Sequence, residues 1–116
     1  MPKLESAIQK EVRLEASRLG LTMFRNNTGM AYSREGTPIK YGLCKGSSDL
    51  VGWESVVITP DMVGQTVAVF TAIEVKTPKG RPTKEQKRFI AAVNKAGGIG
   101  YVARCAEDVK GNQDDE

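Results

Sequence analysis

Histidine is missing from all 116 residues. Its absence excludes Ser-His-Asp and Cys-His hydrolases, HNH-type nucleases and histidine-ligated zinc. Any proton transfer must therefore fall to lysine, carboxylate or metal-bound water. Cysteine is nearly missing too. Cys44 and Cys105 stand alone, without metal-binding spacing, and with no secretion signal they read as reduced thiols of a cytosolic protein. No apolar run approaches the roughly 18–20 residues of a membrane span, and the N-terminus lacks the core of a signal peptide. No membrane partner is expected. Residues 42–48 hold glycines and a lysine but not the Gly-Lys-Ser/Thr order of a phosphate-binding loop, which excludes a P-loop ATPase.

What is present fits one domain, with room for a central sheet and a few helices. The net charge of +3 hides an asymmetry. Residues 107–116 carry five acids and one base, a balance of −4, so the preceding 106 residues hold 16 basic and nine acidic side chains, a balance of +7. The reading is a basic domain over 1–106 and an acidic, disordered tail over 107–116. A basic body suits a nucleic-acid partner.

Leu4, Ile8, Val12, Ala16 and Leu19 recur at helical spacing, and Gly20 stops the helix. Leu21–Phe24 reads as a short strand, followed by the polar turn Arg25-Asn26-Asn27-Thr28-Gly29. Residues 30–45 suggest a loop or hairpin. Leu50–Trp53 and Val56–Ile58 read as one bent strand or two, and residues 59–65 as a turn. Val67–Lys76 reads as a strand closed by Pro78 and Gly80. Thr83-Lys84-Glu85-Gln86 matches a capping box, with Phe89, Ile90, Val93 and Ala96 as the helix stripe. Gly97-Gly98 ends that helix before a last strand from Ile99 to Ala103, and residues 106–110 are read as one helical turn. The order implies an α/β fold with a mixed sheet flanked by helices, the last strands joined by a crossover helix.

Ile73-Glu74-Val75-Lys76 is the most informative stretch. Alternation along a strand puts Glu74 and Lys76 on one face with Ala68, Phe70 and Ala72, and Val67, Val69, Thr71, Ile73 and Val75 on the other. Charges on a strand this apolar need a partner or a metal. A strand-end ion pair is the plain reading. Metal-dependent phosphodiester hydrolysis is the sharper one, since it needs hard oxygen ligands, an attacking water and charge stabilisation at phosphate. Glu74 and the Val75 carbonyl can bind the metal, and Lys76 can act on water or phosphate. Asp49 and Asp61 compete to be the second carboxylate. Asp49 is favoured, because it leads into an apolar strand whereas Pro60-Asp61 lies among turn residues. Gln86 faces the same way as the helix stripe. Lys84, Lys87 and Arg88 crowd a helix start, where the macrodipole disfavours cations, and with Lys79 and Arg81 form a rim suited to phosphates.

With these residues assembled, the chain closely resembles the VRR-NUC family of the PD-(D/E)xK nuclease superfamily over most of residues 4–105. The resemblance rests on Glu5 with Ile8-Gln9, Arg25-Asn26-Asn27, Gly46-Ser47-Ser48-Asp49-Leu50, Ile73-Glu74-Val75-Lys76-Thr77-Pro78, Gln86 and Gly97-Gly98. It implies a restriction-endonuclease-like core with a central mixed sheet flanked by helices. It further implies Asp49 and Glu74 as ligands of Mg²⁺ or Mn²⁺, Lys76 as the catalytic lysine, Gln86 as a residue that orders the site, and Glu5 as the first-helix acid. Glu11 and Glu15 share that helix, and spacing alone does not choose among the three. Ser48 stands where the superfamily often has proline. The implied activity is a metal-dependent DNA endonuclease selective for branched or Holliday-junction DNA. DNA contacts are expected from Lys79, Arg81, Lys84, Lys87, Arg88, Arg25 and Asn27. Stand-alone members of this size look like phage proteins and resemble dimeric junction resolvases, which implies a homodimer in the host-cell cytoplasm. The competing reading is a nucleic-acid-binding module that keeps the fold without turnover.

Overall fold

The structure is a computed structural model describing residues 4–111. In order it contains α1 (Glu5–Arg18), β1 (Thr22–Arg25), β2 (Gly29–Tyr32), β3 (Pro38–Tyr41), β4 (Leu50–Trp53), β5 (Thr71–Val75), α2 (Lys84–Lys95) and β6 (Ile99–Ala103). Short 3₁₀ turns cover Pro60–Met62 and Ala106–Asp108. The chain forms two compact units, Met1–Glu54 and Ser55–Glu116. Residues 112–116 of the expected acidic tail lie outside the described residues.

In the first unit, α1 ends in a Schellman motif. Gly20, at φ 89°, donates its N–H to Ser17, and Leu21 donates to Ala16. β1 pairs antiparallel with β4, from Thr22 opposite Trp53 to Arg25 opposite Leu50. The Phe24 and Trp53 rings meet diagonally across this ladder, with centroids 5.5 Å apart. Gly52 has no room for a side chain, since a Cβ would fall 1.9 Å from the Thr22 carbonyl oxygen. β2 and β3 form an antiparallel hairpin, which answers the ambiguous reading of residues 30–45.

In the second unit, β5 and β6 pair in parallel, from Thr71 opposite Ile99 to Val75 opposite Ala103. α2 connects them and packs on their shared face. Val93, 1% exposed, with Tyr101 and Ala103 forms the buried core of the described residues. The helix approaches closely because glycines lead into and lie in β6: a Cβ on Gly98 would fall 2.9 Å from Val93 Cγ1, and one on Gly100 3.2 Å from the Ile90 backbone. Asn94 reinforces the contact, accepting the Gly100 N–H at 2.8 Å and donating to its carbonyl at 3.0 Å. α2 also ends in a Schellman motif, through Gly97 to Asn94 and Gly98 to Val93.

Three expectations need correction. In place of one central mixed sheet, the described strands pair as three two-stranded sheets, two antiparallel and one parallel. The strand expected over Val67–Lys76 is regular only from Thr71 to Val75. Its partner β6 cannot extend further back, because Gly97-Gly98 is used by the helix cap. Val56–Ile58 forms no strand, because β1 is four residues long and is used up opposite Leu50–Trp53.

Candidate nuclease site

β5 alternates as expected, but the face that is covered is the charged one. Ala72, Glu74 and Lys76 are half-buried, while Thr71, Ile73 and Val75 are exposed. The side chains of Glu74 and Lys76 retain only 29% and 21% exposure, so each charge needs a partner. They serve one another, with Lys76 Nζ 3.6 Å from Glu74 Oε2. Gln86 Nε2 donates to the same oxygen at 3.1 Å. Both contacts fall on Oε2, which leaves Oε1 as the oxygen available to a further ligand.

Gln86 reaches Glu74 because its other end is fixed. Its Oε1 accepts the Thr83 N–H at 2.9 Å, and its own N–H donates to Thr83 Oγ1 at 3.1 Å. This is a complete capping box. One side chain therefore caps the helix and contacts Glu74, acceptor facing the helix start and donor facing the carboxylate. A cavity of about 360 Å³ opens beside it, lined by Ala72, Ile73, Glu74, Glu85, Gln86, Phe89 and Ile90. Glu85 is a second carboxylate on this cavity. Its position next to a plain capping-box glutamine carries no signal of this in the sequence.

The exposed side chains of Lys79, Arg81, Lys84, Lys87 and Arg88 occupy the segment that leaves β5 and the first two turns of α2. The turn after Lys76 is closed by the Gly80 N–H, which donates to the Thr77 carbonyl at 3.0 Å and to Thr77 Oγ1 at 3.1 Å.

The remaining expected residues belong to the first unit. Asp49 is exposed, immediately before β4, and its carbonyl accepts the Asn26 N–H at 2.8 Å. Asn26 itself organises the loop ahead of Asp49. Its Nδ2 donates to Ser47 Oγ at 2.7 Å and to the Ser48 carbonyl at 2.9 Å, and its Oδ1 accepts the Leu43 N–H at 3.1 Å. These bonds fix the loop that leads to the aspartate. In the sequence Asn26 is visible only as part of the Arg25-Asn26-Asn27 motif. The 17- to 22-residue separation of its partners conceals the role.

Arg25 is the last residue of β1, and Asn27 follows it, exposed. Glu5 is the exposed first residue of α1. Glu15 is paired with Arg18, whose hydrogen bond lowers the Glu15 carboxyl below its ordinary value. Asp61 accepts from Thr59 Oγ1 within the 3₁₀ turn, and that bond first, then its own backbone N–H, lowers its carboxyl. Among the described residues no three Cys, Asp or Glu side chains gather at metal-binding reach. The donors at hand are hard oxygens, the kind Mg²⁺ and Mn²⁺ take, including Glu74 Oε1.

A half-buried carboxylate, lysine and glutamine thus meet beside a cationic helix start. The family profile of the VRR-NUC domain matches residues 8–107, and the chain belongs to the VRR-NUC family. Membership implies nuclease activity with DNA as substrate. No curated protein and no solved structure gives a match. Among the described residues, no helix is long and apolar enough to cross a membrane.

Proposed function

We propose that this chain is a PD-(D/E)xK-type DNA endonuclease that depends on Mg²⁺ or Mn²⁺ and prefers branched or Holliday-junction DNA. The observation that carries the reading is the convergence of Lys76 Nζ and Gln86 Nε2 on Glu74 Oε2. In this reading residues 1–106 form one nuclease domain with a restriction-endonuclease-like core, followed by an acidic tail. Asp49, Glu74 and the Val75 carbonyl would be the residues that hold the divalent ion. When bound, that ion supplies Lewis-acid stabilisation of the phosphate and a more acidic water.

The chain's own residues do the rest. Gln86 fixes the rotamer of Glu74 by occupying Oε2. Lys76, held by the same oxygen, offers an ammonium where charge develops on the phosphate, and no histidine competes for that task. Glu5 contributes a carboxylate from α1. Lys79, Arg81, Lys84, Lys87, Arg88, Arg25 and Asn27 hold the DNA backbone. The protein works as a homodimer in the cytoplasm, that of the host cell for a phage-encoded chain.

The test is a panel of linear, flap, fork and four-way DNA substrates incubated with Mg²⁺ or Mn²⁺. Cleavage is expected, strongest on branched substrates and lost with chelator. DNA binding without nicking on every substrate would overturn the reading in favour of a non-catalytic binding module.

A further inference from the structure

Arg104 is the first residue beyond β6, directly after Ala103. Ala103 is the register partner of Val75, and its carbonyl accepts the Lys76 N–H at 3.1 Å. A residue at an exposed strand end has no packing reason to be arginine. Its guanidinium nevertheless has a defined target. Nη1 donates to the carbonyls of Thr77 at 2.6 Å, Gly80 at 2.6 Å and Pro78 at 3.3 Å. Three carbonyl dipoles from one turn thus converge on one cationic nitrogen, which makes these charge-assisted bonds. The arginine is anchored in turn by Asp108, whose Oδ2 accepts the Arg104 N–H at 2.8 Å. That bond is the main cause of the lowered Asp108 carboxyl.

The turn held in this way is the joint between chemistry and substrate. Lys76 precedes it, Lys79 lies within it, and Arg81 and the Thr83–Gln86 capping box follow it. A slack turn would let Lys76 and Gln86 drift independently, although both must meet Glu74 Oε2. We propose that Arg104 is a positioning residue for the nuclease reaction: by binding the Thr77–Gly80 carbonyls it fixes Lys76 relative to Gln86 and aims Lys79 and Arg81 at DNA. The inference rests on the nuclease reading above. It adds a residue that touches neither metal nor scissile phosphate.

The experiment compares wild type, Arg104→Ala, Arg104→Lys and Asp108→Asn in the full chain. Three quantities are read: single-turnover cleavage of a cut substrate at saturating DNA, DNA affinity, and amide hydrogen exchange over residues 77–86. Arg104→Ala is expected to exchange faster over that segment and to slow single-turnover cleavage by up to about a hundredfold, the scale of a misaligned reacting group. Its DNA affinity should change far less than its rate. Arg104→Lys keeps one cationic nitrogen for the carbonyl cluster and should recover most of the rate. Asp108→Asn should show a weaker form of the alanine defect.

Wild-type cleavage by Arg104→Ala overturns the proposal. So does unchanged exchange over 77–86 combined with weakened DNA binding, which would make Arg104 a phosphate contact. A wild-type chain that cuts no substrate removes the nuclease reading, and the catalytic claim falls with it. The exchange data from the same samples separate that failure from an incorrect account of the turn.

Discussion

Glu74→Gln keeps the size of the side chain but removes the charge that Lys76 and Gln86 both contact. It is expected to lower cleavage on the order of a hundredfold or more, as lost charge stabilisation does, and to weaken Mn²⁺ binding in calorimetry. Asp49→Ala should behave alike, whereas Asp61→Ala, already engaged by Thr59, should cut normally. Near wild-type turnover in Glu74→Gln would remove the site assignment. Lys76→Ala separates roles differently. It should still bind metal and DNA but fail in turnover, and loss of metal binding in that variant would favour a plain ion pair. At this scale the sequence was informative where chemistry is local: Glu74 and Lys76 are two residues apart, and strand alternation puts them together. The tasks of Asn26 and Arg104 were not legible. Their partners lie 17–27 residues away in sequence, and only the folded loops bring those carbonyls and amides within reach.

Among the elements, α2 joins stability to the site through one motif. Thr83→Ala removes the acceptor of the Gln86 N–H and should cost about 1 kcal/mol, as lost N-caps do. A loss of that size lowers the melting temperature by about 4–8 °C in a small domain. Because Gln86 is held to Glu74 from that cap, cleavage should fall further than the stability loss explains. Equal cleavage in folded Thr83→Ala would mean the cap is structural only. The basic residues of the same helix start make a separate prediction. If Lys84 and Lys87 each meet one phosphate, each adds about 0.9 to the log–log salt slope on duplex DNA. Their double alanine variant should flatten the slope by roughly twice that and weaken all sequences alike. An unchanged slope would assign these lysines to a solvated face. Beyond β6, the Asp108 carboxylate that accepts the Arg104 N–H is held below its ordinary value of 3.8. Its contribution is therefore full above that pH and is lost as pH falls through the lowered folded value. The Arg104 amide resonance should follow that titration, and Asp108→Asn should abolish it. The helix ends were legible because Gly20, Gly97 and the Thr83–Gln86 pair are local signals. Strand lengths were not, because each ladder stops where its partner runs out.

For the whole molecule, the distribution of apolar surface bears on assembly. Among the described residues only Val93, Tyr101 and Ala103 are buried apolar side chains, a small core for a chain of this length. The β2–β3 hairpin shows the shortfall most clearly. All eight of its strand residues are exposed, yet they include Met30, Tyr32, Ile39 and Tyr41, with Tyr32 68% exposed. An isolated two-stranded hairpin is marginal in water and needs a further strand or a packed face to persist. A second copy of the chain would meet that need, because a two-fold axis would set the same hairpin against itself and cover apolar residues of both copies at once. The same symmetry would present two sites to a junction that is itself two-fold. Light scattering is therefore expected to give a dimer at micromolar concentration. Replacing Tyr32 and Ile39 together by aspartate should convert it to a monomer that still binds duplex DNA but cuts four-way junctions poorly. The Tyr41 ring stacked on Gly29 is untouched by those changes, so the hairpin itself should survive. A wild-type chain that is monomeric at working concentration while cutting junctions fully would remove the dimer. A dimer that persists in the double variant would move its interface away from the hairpin.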